Sequence, residues 1–210
     1  MTPEQIEAHF TRSDGSYLCA RWGRPIAPVV FGVDDATLAV VKGAIEAVSQ
    51  LAGCDMAETD PELGANMMVF FFRAWDELLE LPDLGRMIPD LEPLVARLKE
   101  ADANQYRIFR FDEGDAIKAA FVFLRMDAHL AAVPAETLAL SQAVQTILLW
   151  SDTAFQDRSP LAIVPGQEAV VLRPEIGLLI RAAYDAVLPN VAQDAAHALR
   201  LSARMSQATS

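Results

Sequence analysis

The chain has 210 residues, 29 acidic against 17 basic, and a net charge of −12. With 52% apolar residues it has material for a real core and too much for a disordered chain. So acidic a chain is repelled by phosphate backbones and anionic lipid, which argues against generic nucleic-acid or membrane binding; its three lysines, Lys42, Lys99 and Lys118, are scattered.

The first residues, MTPEQIEAHF, lack the basic start and apolar stretch of a secretion signal. Apolar runs such as Met67–Phe72 fall far short of the ~18–20 residues that span a bilayer. A cytoplasmic protein is therefore expected. Residues 1–16 have little pattern beyond a short helix near 3–10 and are expected to be loosely ordered. Residues 24–33, RPIAPVVFGV, read as a strand with Pro25 and Pro28 at its start or on an edge. Asp34 and Asp35 then cap a helix over 36–51, whose Leu38, Val41, Ile45 and Val48 follow the helical period, with Gly53 to end it. Cys19 and Cys54 form no CxxC site or disulfide framework and are expected to be reduced thiols.

The continuous apolar run of 66–72, NMMVFFF, predicts a central strand buried on both faces. Helical patterns over 75–81 and 91–99 are separated by Pro82 and Pro89. Residues 105–126 read as a hairpin, with Asp112, Glu113, Gly114 and Asp115 at the turn. Pro134 and Glu136 open a long helix expected to run to about residue 156. After a loop marked by Pro160, Pro165 and Gly166, a short strand is expected at 170–172. A helix then starts at Pro174, with Ile176, Ile180, Ala183 and Val187 on one face, and stops near Pro189. A last amphipathic helix is expected over 191–204, with a frayed tail at 206–210. The order predicts one α+β domain over 1–210: a small mixed sheet with a β-hairpin packed on long helices, and a helical C-terminal part.

Motifs of known chemistry are scarce. His9, His129 and His197 have no metal-ligand spacing, and neither cysteine has a neighbouring histidine. There is no G-x-S-x-G elbow, Walker A or G-x-G-x-x-G sequence. Asp55, Glu58, Asp60 and Glu62 form an acidic loop unlike an EF-hand, read as solvated. The segment 141–152, SQAVQTILLWSD, is the unusual one. On a helix, Gln142, Gln145 and Asp152 share a face with Leu138 and Leu149, opposite Leu140, Val144, Ile147 and Leu148. Each glutamine offers donors and an acceptor, which suit a ligand or a buried polar network; partial exposure of the face would also explain them.

Over residues 22–189 the chain resembles a bacterial domain of unknown function whose fold is related to the zincin metallopeptidases. Arg21 and Trp22, Pro25, and Ala65 with Asn66 follow the family's order of Arg-Trp, Pro and a strand opening Ala-Asn. A strand over 117–126 then precedes a helix with Gln142, Gln145 and Asp152, where the family has Glu-x-x-Gln and a later aspartate. Tyr184 and Asp185, with Pro189 beyond, stand for its Leu-Tyr-Asp-Pro run. An active zincin holds zinc through H-E-x-x-H, two imidazoles four residues apart with a glutamate base between them. At those positions this chain has Ser141, Gln142 and Gln145. The resemblance thus implies a zincin-like shell without catalytic residues, metal or cofactor.

Three functions follow as expectations. The first is a non-catalytic protein that binds a peptide, protein partner or small ligand in a cleft beside helix 135–156, through Ser141, Gln142, Gln145 and Asp152. Asp127, His129, Tyr184 and Asp185 are secondary candidates. The second is an enzyme with a loop-assembled site of Asp127, His129 and Asp152. The third is a structural or regulatory homodimer joined through the C-terminal helices.

Overall fold

Capping and apolar patterning place the elements in the computed structural model, which describes residues 1–164, 166 and 170–208. Pro165 of the expected loop, and 209–210 of the expected tail, lie outside them. Helix α1 (Pro3–Ala8) opens on a reciprocal cap: the Thr2 hydroxyl accepts from the Gln5 N–H, and the Gln5 side chain accepts from the Thr2 N–H. Ile6 and Phe10 behind it are fully buried. Through these two residues α1, within the stretch 1–16 expected to be loose, packs into the main core, while Ser13–Ser16 are exposed. Short strand β1 (Cys19–Ala20) follows, then edge strand β2, whose first residue is Pro28 (Pro28–Phe31). Helix α2 (Asp35–Ala52) starts where the Asp34 carboxylate accepts from the Thr37 N–H. It ends at Gly53, whose φ of 72° is left-handed.

After α2 come β3 (Met67–Phe72), a 3₁₀ segment at Trp75–Glu80, α3 (Leu84–Met87) and α4 (Leu91–Glu100). The hairpin strands are β4 (Gln105–Phe111) and β5 (Ile117–Arg125), followed by α5 (Ala128–Ala131) and α6 (Ala135–Ile147). A small antiparallel ribbon, β6 (Leu161–Ile163) and β7 (Val170–Leu172), leads into α7 (Pro174–Ala183). The chain closes with β8 (Val191–Ala192), antiparallel to β1, and α8 (His197–Gln207).

The four-stranded sheet has the order β2-β3-β5-β4, with β2, β3 and β5 parallel and β4 antiparallel to β5. Its two middle strands are buried on both faces, which is why they read as unbroken apolar runs. Alternation sends Met67, Val69, Ala120, Val122 and Leu124 toward α2, α6 and α7. Phe70, Phe72, Phe121 and Phe123 point the other way, under Trp75, Leu84, Leu94 and Leu98. The fold is thus α+β, with a mixed sheet between two helical layers. Along β4, Arg107 stands opposite Val122 of β5, so Gln105, Arg107 and Phe109 face the α6 side. No strand pairs with the outer side of β4 among the described residues.

Three expected elements differ. The helix expected to reach residue 156 stops at Ile147 because distant side chains take its last carbonyls: the Trp22 indole N–H donates to Thr146 O (2.9 Å) and the Tyr184 hydroxyl to Ile147 O (2.8 Å). Leu148 turns extended and bridges to Arg21. The helix from Pro174 ends at Ala183, and Val187 is 74% exposed beyond it. There the Arg21 guanidinium donates to the carbonyls of Ala183, Asp185 and Leu188. The expected helix over 191–204 is divided, its first residues forming β8. Its apolar face, Ala198, Leu201 and Met205, packs into the protein's own core, while Leu199 is exposed.

Among the described residues no helix is long and apolar enough to cross a membrane.

Candidate functional site

Helix α6 places Ser141, Gln142 and Gln145 along one side, since residues one turn apart stack on a helix. They line an open cleft of about 900 Å³, toward the upper end of the ~300–1,000 Å³ usual for small-ligand sites. Gln105 and Arg107 of β4 form another wall, and Leu161, Ala162 and Ile163 of β6 another.

Gln142 is buried, at 3% exposure, but its amide is fully engaged. Its Oε1 accepts from Arg107 Nη2 at 2.6 Å, and its Nε2 donates to Gln105 Oε1 at 2.8 Å. Arg107 Nη2 also donates to Gln105 Oε1, at 3.3 Å. Half-buried Gln145 donates to Ser141 Oγ at 2.9 Å. The two glutamines, alike in sequence, therefore do different things. Gln142 secures a polar network, and Gln145 stays with Ser141 on the wall.

Arg107 is the residue that sequence reasoning missed. Burial alone pushes its pKa down to about 10, so it remains a cation at neutral pH. No carboxylate forms an ion pair with it among the described residues. Its Nε is buried without a hydrogen-bond partner. A charged residue on the core-facing side of a strand is the signal that could have found it, because Lys and Arg are seldom buried unpaired.

The other candidates are dispersed. His129 is exposed on the cleft wall. Asp127 caps α5 instead, accepting from the Leu130 N–H (2.8 Å) and Asn104 Nδ2 (3.0 Å), bonds that hold its carboxyl below the usual range. Asp152 has left the helix for an adjoining groove under β4, where it accepts from the Ser13 N–H and hydroxyl. Those bonds lower its pKa as well. His129 thus lines the cleft, Asp152 the adjoining groove, and Asp127 neither of them.

Tyr184 and Asp185 do not line the cleft. The Tyr184 hydroxyl braces Ile147 O and accepts from the Trp22 N–H at 3.3 Å, and its ring lies under Arg21. Asp185 accepts from the Val187 N–H and pairs with Arg204 at 3.5 Å. The acidic loop is not wholly solvated either. Asp60 is 4% exposed, accepting from the backbone of Glu62 and Leu63, from Asn66 Nδ2 and from Arg24. Asn66, fully buried, also accepts from the Ala27 N–H and donates to Pro25 O. The residues that carry the family resemblance outside α6 are thus framework residues.

Among the described residues no three His, Cys, Asp or Glu side chains gather to hold a metal ion. Both cysteines are free thiols, and burial raises Cys19 to about 12 and Cys54 to about 11, far from a nucleophilic thiolate. Compared with known proteins, the chain matches no family model, no curated protein and no solved structure. The described lining of the cleft offers the guanidinium groups of Arg107 and Arg173, glutamine amides, hydroxyls and the His129 imidazole.

Proposed function

We propose that this chain is a zincin-like, non-catalytic protein that binds a peptide, protein partner or small ligand in the cleft beside α6. One observation carries the reading: Ser141, Gln142 and Gln145, which stand at the resemblance's zinc-ligand and base positions, face a cleft large enough for a ligand. A glutamine amide is neutral at every ordinary pH and cannot accept a proton from an attacking water. Half-buried Gln145, whose side-chain carbonyl oxygen is left free, suits recognition instead. The chain order adds support, because β5 leads through α5 into α6, as the resemblance expects. So does the framework of Arg21, Trp22, Asn66 and Tyr184, which fixes the end of α6 and the start of β3.

Two measurements test it. Purified protein equilibrated with zinc and then desalted is expected to retain no stoichiometric metal and to cleave no unstructured protein substrate. One zinc per chain, lost on Ser141→Ala or Gln145→Ala, sinks the non-catalytic reading. Backbone amide spectra recorded against a fragment mixture are expected to shift around Gln105, Gln142, Gln145 and Leu161. Shifts confined to other surfaces remove the cleft from consideration.

A further inference from the structure

Resting on that reading, we infer that the cleft takes a ligand with one carboxylate on an apolar body, its charge held by Arg107. The composition of the cleft is the first ground. The chain carries 29 acidic residues, yet among the described residues none lines this cleft, whereas Arg107 and Arg173 do. Against a net charge of −12, that is a local reversal of sign.

The second ground is the state of the guanidinium. Nη2 is held by two amide oxygens, Nε has no partner, and Nη1 makes no hydrogen bond yet is not sealed off. A cation partly withdrawn from water without a counter-ion is costly, and an incoming anion offsets that cost. Ser141 adds a donor: its Oγ accepts from Gln145, which leaves its own proton for a ligand oxygen.

Charge count and shape narrow the class. The Arg107 guanidinium, with Nη1 as its accessible free donor, balances a single negative charge; a phosphate dianion calls for more donors than that wall supplies. Leu130, Leu138, Phe155 and Leu161 add apolar surface among the polar Thr137, Gln156 and Ser159, which gives an aliphatic or aromatic body a place to pack. A free small acid and the C-terminal carboxylate of a peptide share this chemistry.

Calorimetric titration of the full chain tests it with octanoate against octanamide, and acetyl-Leu-Phe against its C-terminal amide. Inorganic phosphate serves as a third arm. Each acid is expected to bind at least about tenfold more tightly than its amide, and Arg107→Met is expected to abolish the difference. The tighter of the two acids identifies the source. Ser141→Ala, expected to weaken each acid by about threefold or more and its amide by less, because a hydrogen bond to a charged acceptor is the stronger, keeps the test readable if the Arg107 variant does not fold. Equal binding of acid and amide overturns the carboxylate inference and leaves the cleft reading standing. Phosphate binding more tightly than either acid overturns it in favour of a phosphorylated ligand. No binding by any probe overturns the carboxylate inference and leaves the cleft reading to the amide spectra.

Discussion

Arg107 Nη2 donates to Gln142 Oε1 across 2.6 Å, so the edge strand β4 is joined to α6 through a cation and a neutral amide. Replacing Gln142 with Leu withdraws the better of the two acceptors from a buried charge. The expected loss is about 1.5–3 kcal/mol, the usual range for a hydrogen bond to a charged group. Arg107→Met combined with Gln142→Leu is expected to cost much less than the two single changes together, because the pair then leaves no orphaned charge. Urea unfolding of the four proteins measures the coupling, and strict additivity would contradict it.

Asn66 links three segments: it serves the Ala27 N–H, Pro25 O and Asp60 from a fully buried position. Asn66→Leu is expected to lower stability by about 2–4 kcal/mol, since it strands a buried backbone N–H as well as losing bonds. A loss below about 1 kcal/mol would show that water replaces the amide.

Two glycines should respond in opposite directions. At Gly32, φ is +82° and a Cβ would lie 2.0 Å from Phe71 O, a clash with backbone that cannot yield. Gly32→Ala is expected to cost more than about 3 kcal/mol, or to prevent folding. Gly43, in the middle of α2, is exposed and has no atom within 4 Å of such a Cβ. Gly43→Ala is therefore expected to stabilise by about 0.5–1 kcal/mol. Thermal melts of both variants decide the pair.

Burial lowers the pKa of His9, packed against Trp150 and Phe155, and of His197, beside Tyr17. Both are depressed in the folded state, so below about pH 6.5 the unfolded chain binds more protons. The stabilisation is complete above that pH and is lost as pH falls toward the folded-state values. Urea midpoints are expected to fall between about pH 7.5 and 5.5. His197→Gln, which removes one of the two groups, should flatten the dependence. A midpoint constant over that window would refute the assignment.

Much of this fold is legible in the sequence wherever its cause is local. Asp34 and Gly53 bracket α2, the turn at 112–115 fixes the hairpin, and the apolar run at 67–72 marks a strand covered on both faces. What is not legible depends on residues far away in the chain. No window around 147 contains Trp22 or Tyr184, whose side chains end α6, and none around 184 contains Arg21, which gathers the carbonyls there. The cleft is half visible. Two glutamines among apolar neighbours stand out, but Arg107 passes as one residue of a strand, because the strand's faces stay unassigned until its register with β5 is known.

The end of α6 has a consequence for how the cleft comes into being. Its closing bonds come from residue 22 on one side and residue 184 on the other. Loops that long close only after the intervening chain has been made and has begun to collapse. A polypeptide still emerging from the ribosome, or one cut short before Tyr184, carries every side chain of the Gln142 network yet lacks the clamp that tells its helix where to stop. The α6 wall of the cleft should therefore take its final form only once Tyr184 has joined the fold, and all at once.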